Sequence, residues 1–161
     1  FFIGMFLQNA SQVSMQRLMI FKALEGETVR RFMKSNPVTI PENMTIKEIV
    51  DNYIYRYQYK MYPVVRDGKL VGYLTTRDIK EVPKEKWSIQ TAGEISKPYS
   101  LDNTIHPDTD ATQALSLMNR TGNSRLMVVE NDQLIGVITL KDLLQFFSLK
   151  MELEGDKYRY E

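Results

Sequence analysis

Two seven-residue stretches of this chain contain the residue types that a ribose and a phosphate group require for binding. Both follow the pattern Gly-x-x-Thr-x-x-Asp: they are Gly72-Tyr73-Leu74-Thr75-Thr76-Arg77-Asp78 and Gly136-Val137-Ile138-Thr139-Leu140-Lys141-Asp142. A carboxylate can accept hydrogen bonds from both ribose hydroxyls, whereas a threonine hydroxyl and a basic side chain can donate to phosphate. Glycine lets a ligand approach the backbone, and a helix that begins at the threonine offers N–H groups to an anion. The repeated pattern therefore predicts a nucleotide-binding cleft shared by two copies of one small unit.

The same spacing also has a purely structural interpretation. Thr-x-x-Asp at a helix start is typical of a capping box, in which the threonine hydroxyl and the acidic side chain each accept a hydrogen bond from a backbone N–H. Duplication would preserve a structural cap as well as a binding site. From these residues alone, ligand binding and capping are equally supported.

Hydrophobic periodicity predicts the order strand, helix, strand, strand, helix in the first unit. Prolines bound the first strand, and apolar residues recur at helical spacing behind the capping residue Thr45. The two later strands flank the turn signal Asp67-Gly68. The predicted elements are a strand at 38–40, a helix at 46–57, strands at 62–65 and 70–74, and a helix that begins after Thr75.

The second unit repeats this order. Asn131-Asp132 takes the place of the first turn signal, and Thr104-Ile105 takes the place of Thr39-Ile40. The predicted elements are a strand at 104–105, a helix at 111–118, strands at 127–129 and 134–138, and a helix that begins after Thr139.

Neither unit is large enough to be stable alone, because a domain of about 60 residues buries only about 60% of its unfolded surface. We therefore expect the two units to pack face to face with approximate two-fold symmetry, which would create two clefts. The predicted boundaries are a linker helix at 1–28, the first repeat at 29–87, the second repeat at 88–148 and a polar tail at 149–161.

The start of the chain is strongly apolar. Residues 1–7 are too few to cross a bilayer, which takes roughly 20 residues. They are either a packed terminal turn or the end of a membrane helix, and the sequence supports both equally. A helix capped by Asn9 or Ser11 is predicted to follow and to end near Gly26.

Composition excludes several classes of function. The formal net charge is +1 over 161 residues, which gives no electrostatic case for binding nucleic acid. Cysteine is absent, which excludes thiolate nucleophiles and cysteine-ligated zinc and fits a reducing cytosol. His106 is the only histidine, so neither a histidine metal cluster nor a Ser-His-Asp triad is supported. We expect no enzymatic activity from this chain.

Both repeats resemble CBS domains, and the pair resembles the tandem arrangement called a Bateman module. The resemblance covers residues 30–147, and its doubling makes it specific. The residues that carry it are Met33, Pro37-Val38-Thr39-Ile40, Tyr62-Pro63-Val64-Val65 and 67–78 in the first copy, and Ile105-His106-Pro107-Asp108, Met127-Val128-Val129 and 133–142 in the second.

The resemblance implies an α/β fold of the α+β type, with two βαββα repeats related by pseudo-two-fold symmetry. Such pairs typically bind adenosine nucleotides or related ligands between the repeats, regulate an attached protein and assemble as dimers. AMP, ADP, ATP and S-adenosylmethionine are therefore the implied ligands, and no cofactor is required. The implied ligand-binding residues are Thr39, Ile40, Tyr62, Pro63, Gly72, Thr75, Arg77, Asp78, Thr104, Ile105, His106, Gly136, Thr139, Lys141 and Asp142.

By position, the two aspartates would hold ribose, Thr75 and Thr139 would hold phosphate, and the backbone near residues 39–40 and 104–105 would frame the base. His106 is either a base-stacking residue or a surface histidine, and the surface position is favoured. The second copy has Met127 where the first has Pro63. We therefore expect the cleft of the first motif to be the more typical one.

The segment before the repeats resembles the linker of certain site-2-type membrane zinc proteases, in which a last membrane helix leads into a cytosolic CBS pair. The residues that carry this are Asn9-Ala10-Ser11, 16–19, 23–26 and 29–33. It implies an attached membrane protease and a position on the cytoplasmic side of the membrane. The zinc-binding sequence His-Glu-x-x-His is absent from this chain, so proteolysis would belong to the rest of such a protein.

A structural alternative remains open. The chain could be a dimerisation module with closed clefts, in which both motifs act only as helix caps. The tyrosines at 53, 55, 57, 59 and 62 fit either a subunit contact or one half-exposed surface, since tyrosine is enriched at interfaces.

Overall fold

The computed structural model describes residues 15–155. Helix α1 covers residues 15–24 and is followed by Gly26 at a φ of +82°, which fits the predicted helix end. The apolar segment 1–7, the caps Asn9 and Ser11 and the tail after residue 155 lie outside the described residues. Between residues 15 and 155, no helix has both the length and the apolar character needed to cross a membrane.

The first repeat follows the predicted order. Thr45 caps its first helix as predicted, because its side chain accepts a hydrogen bond from the N–H of Glu48. That helix changes to π-helical geometry at Val50–Ile54 before its last turn. The elements are β2 (Ile40–Pro41), α3 (Ile46–Ile49) and α4 (Tyr55–Tyr57) on either side of the π-helix, β3 (Met61–Arg66), β4 (Lys69–Thr75) and α5 (Thr76–Lys80), with a 3₁₀ turn at Lys84–Lys86.

The second repeat has the same order with a longer last helix. Its last helix continues to Glu154, so residues 149–154, which were predicted as part of a polar tail, are helical. The elements are β5 (Thr104–Ile105), α7 (Ala111–Thr121), β6 (Arg125–Glu130), β7 (Gln133–Thr139) and α8 (Leu140–Glu154).

A short helix lies at the start of each repeat and packs on the other one. Helix α2 (Val29–Phe32) begins where Val29 N donates to Thr109 O of the second repeat at 2.9 Å. Helix α6 (Ala92–Ile95) begins where Ala92 N donates to Met44 O of the first repeat at 2.9 Å. The two repeats are therefore linked by an exchange of their leading segments.

The strands form one sheet in the order β2-β3-β4-β7-β6-β5. Each repeat contributes a hairpin, and the turn residues Asp67-Gly68 and Asn131-Asp132 have the positive φ angles that a tight hairpin turn requires. The hairpins meet edge to edge at Lys69 and Gln133. The sheet is therefore continuous between the two repeats through this one residue pair.

Beyond that contact, β4 and β7 diverge and the leading segments fill the gap. Strand β1 (Lys34–Ser35) pairs with β7, and Lys97 bridges to Tyr73 of β4. Two hydrophobic cores lie on either side. The first repeat's core includes Ala92, and the core of the second includes Leu24 and Val29 from the start of the chain.

Candidate functional site

Both repeated motifs form complete capping boxes at the start of a helix. Thr75 Oγ1 accepts from Asp78 N at 3.2 Å, and Asp78 Oδ2 accepts from Thr75 N at 2.9 Å and from its hydroxyl at 2.8 Å. Thr139 and Asp142 make the same bonds at 3.1, 3.3 and 2.7 Å. The capping interpretation is therefore correct for both motifs, and each aspartate keeps its Oδ1 for another partner.

A lysine from the exchanged segments approaches Oδ1 in each copy. Lys97 Nζ lies 3.0 Å from Asp78 Oδ1, whereas Lys34 Nζ lies 4.0 Å from Asp142 Oδ1. Neither lysine was predicted from the sequence. The signal that could have found them is a third repeated segment, Thr28-Val29-x-x-Phe32-x-Lys34 and Thr91-Ala92-x-x-Ile95-x-Lys97.

The Asp78 carboxyl is strongly held. It is only 7% exposed, and this burial acts to raise its pKa. The hydrogen bonds from Thr75 and the ion pair with Lys97 outweigh burial, so the pKa of Asp78 lies below its ordinary value. The same pair raises the pKa of Lys97, chiefly through its hydrogen bond to the carboxylate. At neutral pH both groups are therefore charged, and they form an ion pair.

The motif glycines make room for protein backbone. A Cβ at Gly72 would lie 2.5 Å from the carbonyl oxygen of Lys97, and one at Gly136 would lie 2.9 Å from that of Lys34. The sequence analysis had assigned these glycines to ligand approach. In the structure, the segments that carry the two lysines occupy that space.

The first-motif cleft lies between the end of β4 and the loop that precedes β6. It measures about 540 Å³, within the range of small-molecule sites. Its lining residues are Lys60, Met61, Tyr73, Thr75, Thr76, Arg77, Lys97, Asn103, Gly122, Asn123, Ser124 and Arg125.

The second-motif cleft has an inner and an outer part. The inner part of about 170 Å³ is lined mainly by apolar side chains, and the outer part of about 810 Å³ opens beside the start of α8. The inner part contains Ser35, Asn36, Pro37, Val38, Met61, Pro63 and Val137, the outer part contains Tyr57, Gln58, Ser124, Leu140, Lys141, Leu144, Gln145 and Ser148, and Lys34, Tyr59, Arg125 and Thr139 line both.

Pro63 lines the second-motif cleft and does not line the first-motif cleft, although its strand partner is Tyr73 of the first motif. Its counterpart Met127 is fully buried. The reason is that β2 pairs in parallel with β3, which brings residues 36–38 beside Pro63. The expectation that Pro63 makes the first cleft the more typical one was therefore wrong.

Several predicted ligand residues are part of the hydrophobic cores. Ile40 is fully buried, and Tyr62 is 1% exposed with its hydroxyl bonded to the backbone of Tyr53 and Tyr59. Ile105 packs against the core of the second repeat. These side chains support the strands that line the clefts.

Beyond the core residues, seven predicted ligand residues are not among the lining residues given above: Thr39, Gly72, Asp78, Thr104, His106, Gly136 and Asp142. Thr39 follows the cleft residue Val38, and Thr104 donates its hydroxyl to Ser100 O at 2.8 Å. His106 is exposed, as favoured, and lies near Asp108 and Glu130. Arg77 and Lys141 do line their respective clefts.

One group of side chains has the composition of a metal site. His106, Asp108 and Glu130 bring ligand atoms within 4.8 Å of one another. Arg30 already donates to both carboxylates at 3.3 Å, and His106 Nδ1 accepts from Asp108 N. One guanidinium therefore pairs with both carboxylates and offsets one of their two negative charges.

Several sequence relatives are named as zinc metalloproteases. The chain is 26% identical over 150 residues to "Putative zinc metalloprotease Rip3" of Mycobacterium tuberculosis, covering 92% of this chain and 38% of that protein. It is 33% identical over 137 residues to "Zinc metalloprotease MJ0392" of Methanocaldococcus jannaschii, covering 85% and 36%. The chain thus spans well under half the length of these relatives.

Solved structures share the fold. The CBS domain of a bacterial CNNM/CorC family Mg²⁺ transporter, in complex with ATP, superposes with a TM-score of 0.70 at 22% identity, over 82% of this chain and 94% of that one. CBSX2 in complex with AMP superposes with a TM-score of 0.68 at 20% identity, over 79% and 99%. The predicted α+β fold with two βαββα repeats is confirmed.

The family assignment follows from a direct match to the whole repeat. The model of the CBS domain family matches residues 29–85 and again residues 92–149, which is more than half of the chain. The resemblance inferred from the repeated motifs is therefore correct. The matched residues form regulatory-type domains and not the catalytic domain of a protease. The chain belongs to the CBS domain family and carries two CBS domains in tandem.

Proposed function

We propose that this CBS pair senses an adenosine nucleotide through the second-motif cleft and thereby regulates the protein to which it is attached. The observation that carries the proposal is the apolar inner part, with Val38, Pro63 and Val137, directly beside the motif residue Thr139. An aromatic base and a polar ribose phosphate need this combination of surfaces in one cleft.

Each part of a nucleotide has a candidate partner in this cleft or next to it, since Asp142 is not itself a lining residue but directly follows Lys141, which is. The base would enter the apolar inner part, and the ribose hydroxyls would donate to Asp142 Oδ1, whose nearest cation is 4.0 Å away. The phosphates would lie beside Lys141 and the start of α8, which is long enough to present a helix dipole. Tyr59 closes the other side of the cleft.

Two fold relatives support an adenosine ligand, since one is described with ATP and the other with AMP. AMP, ADP, ATP and S-adenosylmethionine are therefore the first ligands to test. The ligand acts as a signal and not as a cofactor, and nucleic acid is not an expected partner because the net charge is only +1.

The regulated partner is proposed from the relatives. Those named zinc metalloproteases are much longer than this chain, so the CBS pair would be one part of such a protein. We propose an attached membrane metalloprotease with the CBS pair on the cytoplasmic side.

Assembly as a homodimer is also proposed. Helix α8 exposes Leu144, Leu149 and Leu153, which are apolar residues on an otherwise polar surface. A dimer would bury them, and Leu149→Lys should then shift the mass measured by light scattering from dimer to monomer. A wild-type monomer would contradict this part of the proposal.

The completed caps make a purely structural dimerisation module the second candidate function.

Thermal unfolding in the presence of nucleotide tests the sensing proposal. A ligand at 100 times its dissociation constant should add about 2.7 kcal/mol of stability. Asp142→Asn should remove the stabilisation, whereas Asp51→Asn, which changes an exposed carboxylate on the π-helix, should retain it. The absence of a shift with all four ligands, in protein freed of co-purified nucleotide, would favour the structural module.

A further inference from the structure

The two clefts differ at equivalent positions of the duplicated unit. Where the second-motif cleft presents Val38, Tyr59 and Leu140, the first-motif cleft presents polar residues in their place. The replacements, in the same order, are Asn103, Asn123 and Thr76. A nucleobase gains most of its binding energy from apolar and aromatic contacts. Met61 and Tyr73 still line the first-motif cleft, but at these three positions it offers a base no apolar contact.

Positive charge is concentrated in the first-motif cleft. Four of its lining residues are cationic, and none of the lining side chains given above is acidic. Like charges in one concave site raise the local potential, which a multivalent anion would relieve. The cations are Lys60, Arg77, Lys97 and Arg125.

The carboxylate that would bind ribose lies behind the lining residues Thr75 and Lys97 and is already engaged by both. Asp78 Oδ2 accepts from Thr75, and Oδ1 is held by Lys97 at 3.0 Å. A ribose would have to displace this ammonium group from a buried carboxylate, which costs the ion pair and its hydrogen bond. A phosphoryl oxygen needs no such displacement, because the lysine can donate to an anion and to Asp78 at once.

We propose that the first-motif cleft is a second ligand site, specific for an anion that carries two or more phosphoryl groups and no nucleobase. Arg77 and Arg125 supply the planar guanidinium groups that bind phosphoryl oxygens in pairs. Thr76 and Ser124 supply hydroxyl donors. This inference concerns a different cleft from the proposed nucleotide site and does not depend on it.

The probe for this site is inorganic tripolyphosphate, titrated calorimetrically into the full chain at fixed ionic strength without divalent cations. Arg77→Gln should weaken its binding by about tenfold, the usual cost of one charge-assisted contact. Arg17→Gln makes the same chemical change on the exposed face of α1 and should leave the affinity within about twofold. Lys60→Gln is a second cleft variant in case Arg77→Gln unfolds, which circular dichroism would reveal.

Adenosine, which has no phosphate, separates this proposal from the nucleotide proposal. We expect tripolyphosphate to bind equally well with and without saturating adenosine. If Lys141→Gln weakened tripolyphosphate as much as Arg77→Gln, the anion would occupy the second-motif cleft and the proposal would be overturned. Two adenosines per chain, one of them lost in Asp78→Asn, would overturn it as well. Failure of adenosine to bind at all would count against the nucleotide proposal alone.

Discussion

Lys97 forms a close ion pair with Asp78, with 3.0 Å between Nζ and Oδ1, whereas the equivalent Lys34 stops 4.0 Å from Asp142. Both lysines come from leading segments that have exchanged between the repeats. The two motifs thus share a pattern and a cap but differ in the availability of the carboxylate. A ribose could therefore reach the carboxylate of Asp142, whereas the carboxylate of Asp78 is already held by Lys97.

Asp78→Asn should lower the free energy of unfolding at neutral pH by about 1 kcal/mol, the usual cost of losing a helix cap. The pKa of Asp78 is lowered in the folded chain, so its contribution is present above the ordinary aspartate value of about 3.9 and is lost as pH falls through the lowered value. The difference between variant and wild type should therefore shrink as pH falls through that lowered pKa. Urea unfolding across this range measures it.

The same unfolding measurement at alkaline pH tests the contribution of Lys97. Its pKa is raised, so the contribution of the pair is intact below the ordinary lysine value of about 10.4 and is lost as pH rises through the raised value. Asp51→Asn is the matched control. A destabilisation of Asp78→Asn that did not change with pH would mean that the carboxyl is held by neutral hydrogen bonds alone.

Gly72→Ala should destabilise the chain by roughly 1–3 kcal/mol, because its Cβ would meet the Lys97 carbonyl oxygen at 2.5 Å and backbone must move. Gly136→Ala should cost less, since the corresponding distance is 2.9 Å and the next contact is the flexible side chain of Met33. Gly155→Ala, which meets nothing within 4 Å, is the control. Chemical denaturation of the three variants ranks their free energies of unfolding. If Gly72→Ala and Gly155→Ala were equally stable, the close contact between Gly72 and the Lys97 backbone would be contradicted.

Tyr62→Phe should cost about 1–2 kcal/mol, because it leaves Tyr59 N–H and Tyr53 C=O without their hydrogen-bond partner. Tyr55→Phe removes the same hydroxyl from a side chain that is 67% exposed and should change stability by less than about 0.5 kcal/mol. If nucleotide affinity fell in Tyr62→Phe while stability stayed unchanged, Tyr62 would be a ligand contact, as the family resemblance implied.

The order of elements was predictable because its signals are local. The helical spacing behind Thr45 and the turn residues Asp67-Gly68 and Asn131-Asp132 fix helices and hairpins within a few residues, and all three act as predicted. The helix caps at Thr75 and Thr139 were predictable for the same reason.

Those local signals could not predict which residues line each cleft. Alternation along β3 turns Tyr62 into the core and Pro63 to the opposite face, but only the parallel pairing with β2 decides which cleft Pro63 lines. Lys34 and Lys97 act on motifs far away in sequence, through segments exchanged between the repeats. Such pairings depend on the packing of the whole chain and not on local propensity.

The exchange of leading segments makes α1 part of the second repeat's core, although it comes first in the chain. Leu24 is fully buried in that core with Leu143, and Lys150 donates to Ala23 O at 3.1 Å. Leu24→Ala should therefore cost roughly 2–5 kcal/mol, as for other buried leucines. Leu18→Ala on the same helix, at a side chain that is 67% exposed, should cost less than about 0.5 kcal/mol.

Denaturant unfolding of both variants, followed by far-UV circular dichroism, compares their losses in free energy of unfolding. Both variants make the same change in helix propensity. Leucine and alanine are both strong helix formers, so a difference between the two sites reports burial and not helix formation. Equal, small effects would show that α1 is a linker that contributes nothing to the core. A large effect at Leu24 alone would show that the second CBS repeat needs the segment preceding the first in order to be stable, since Leu24 completes its core.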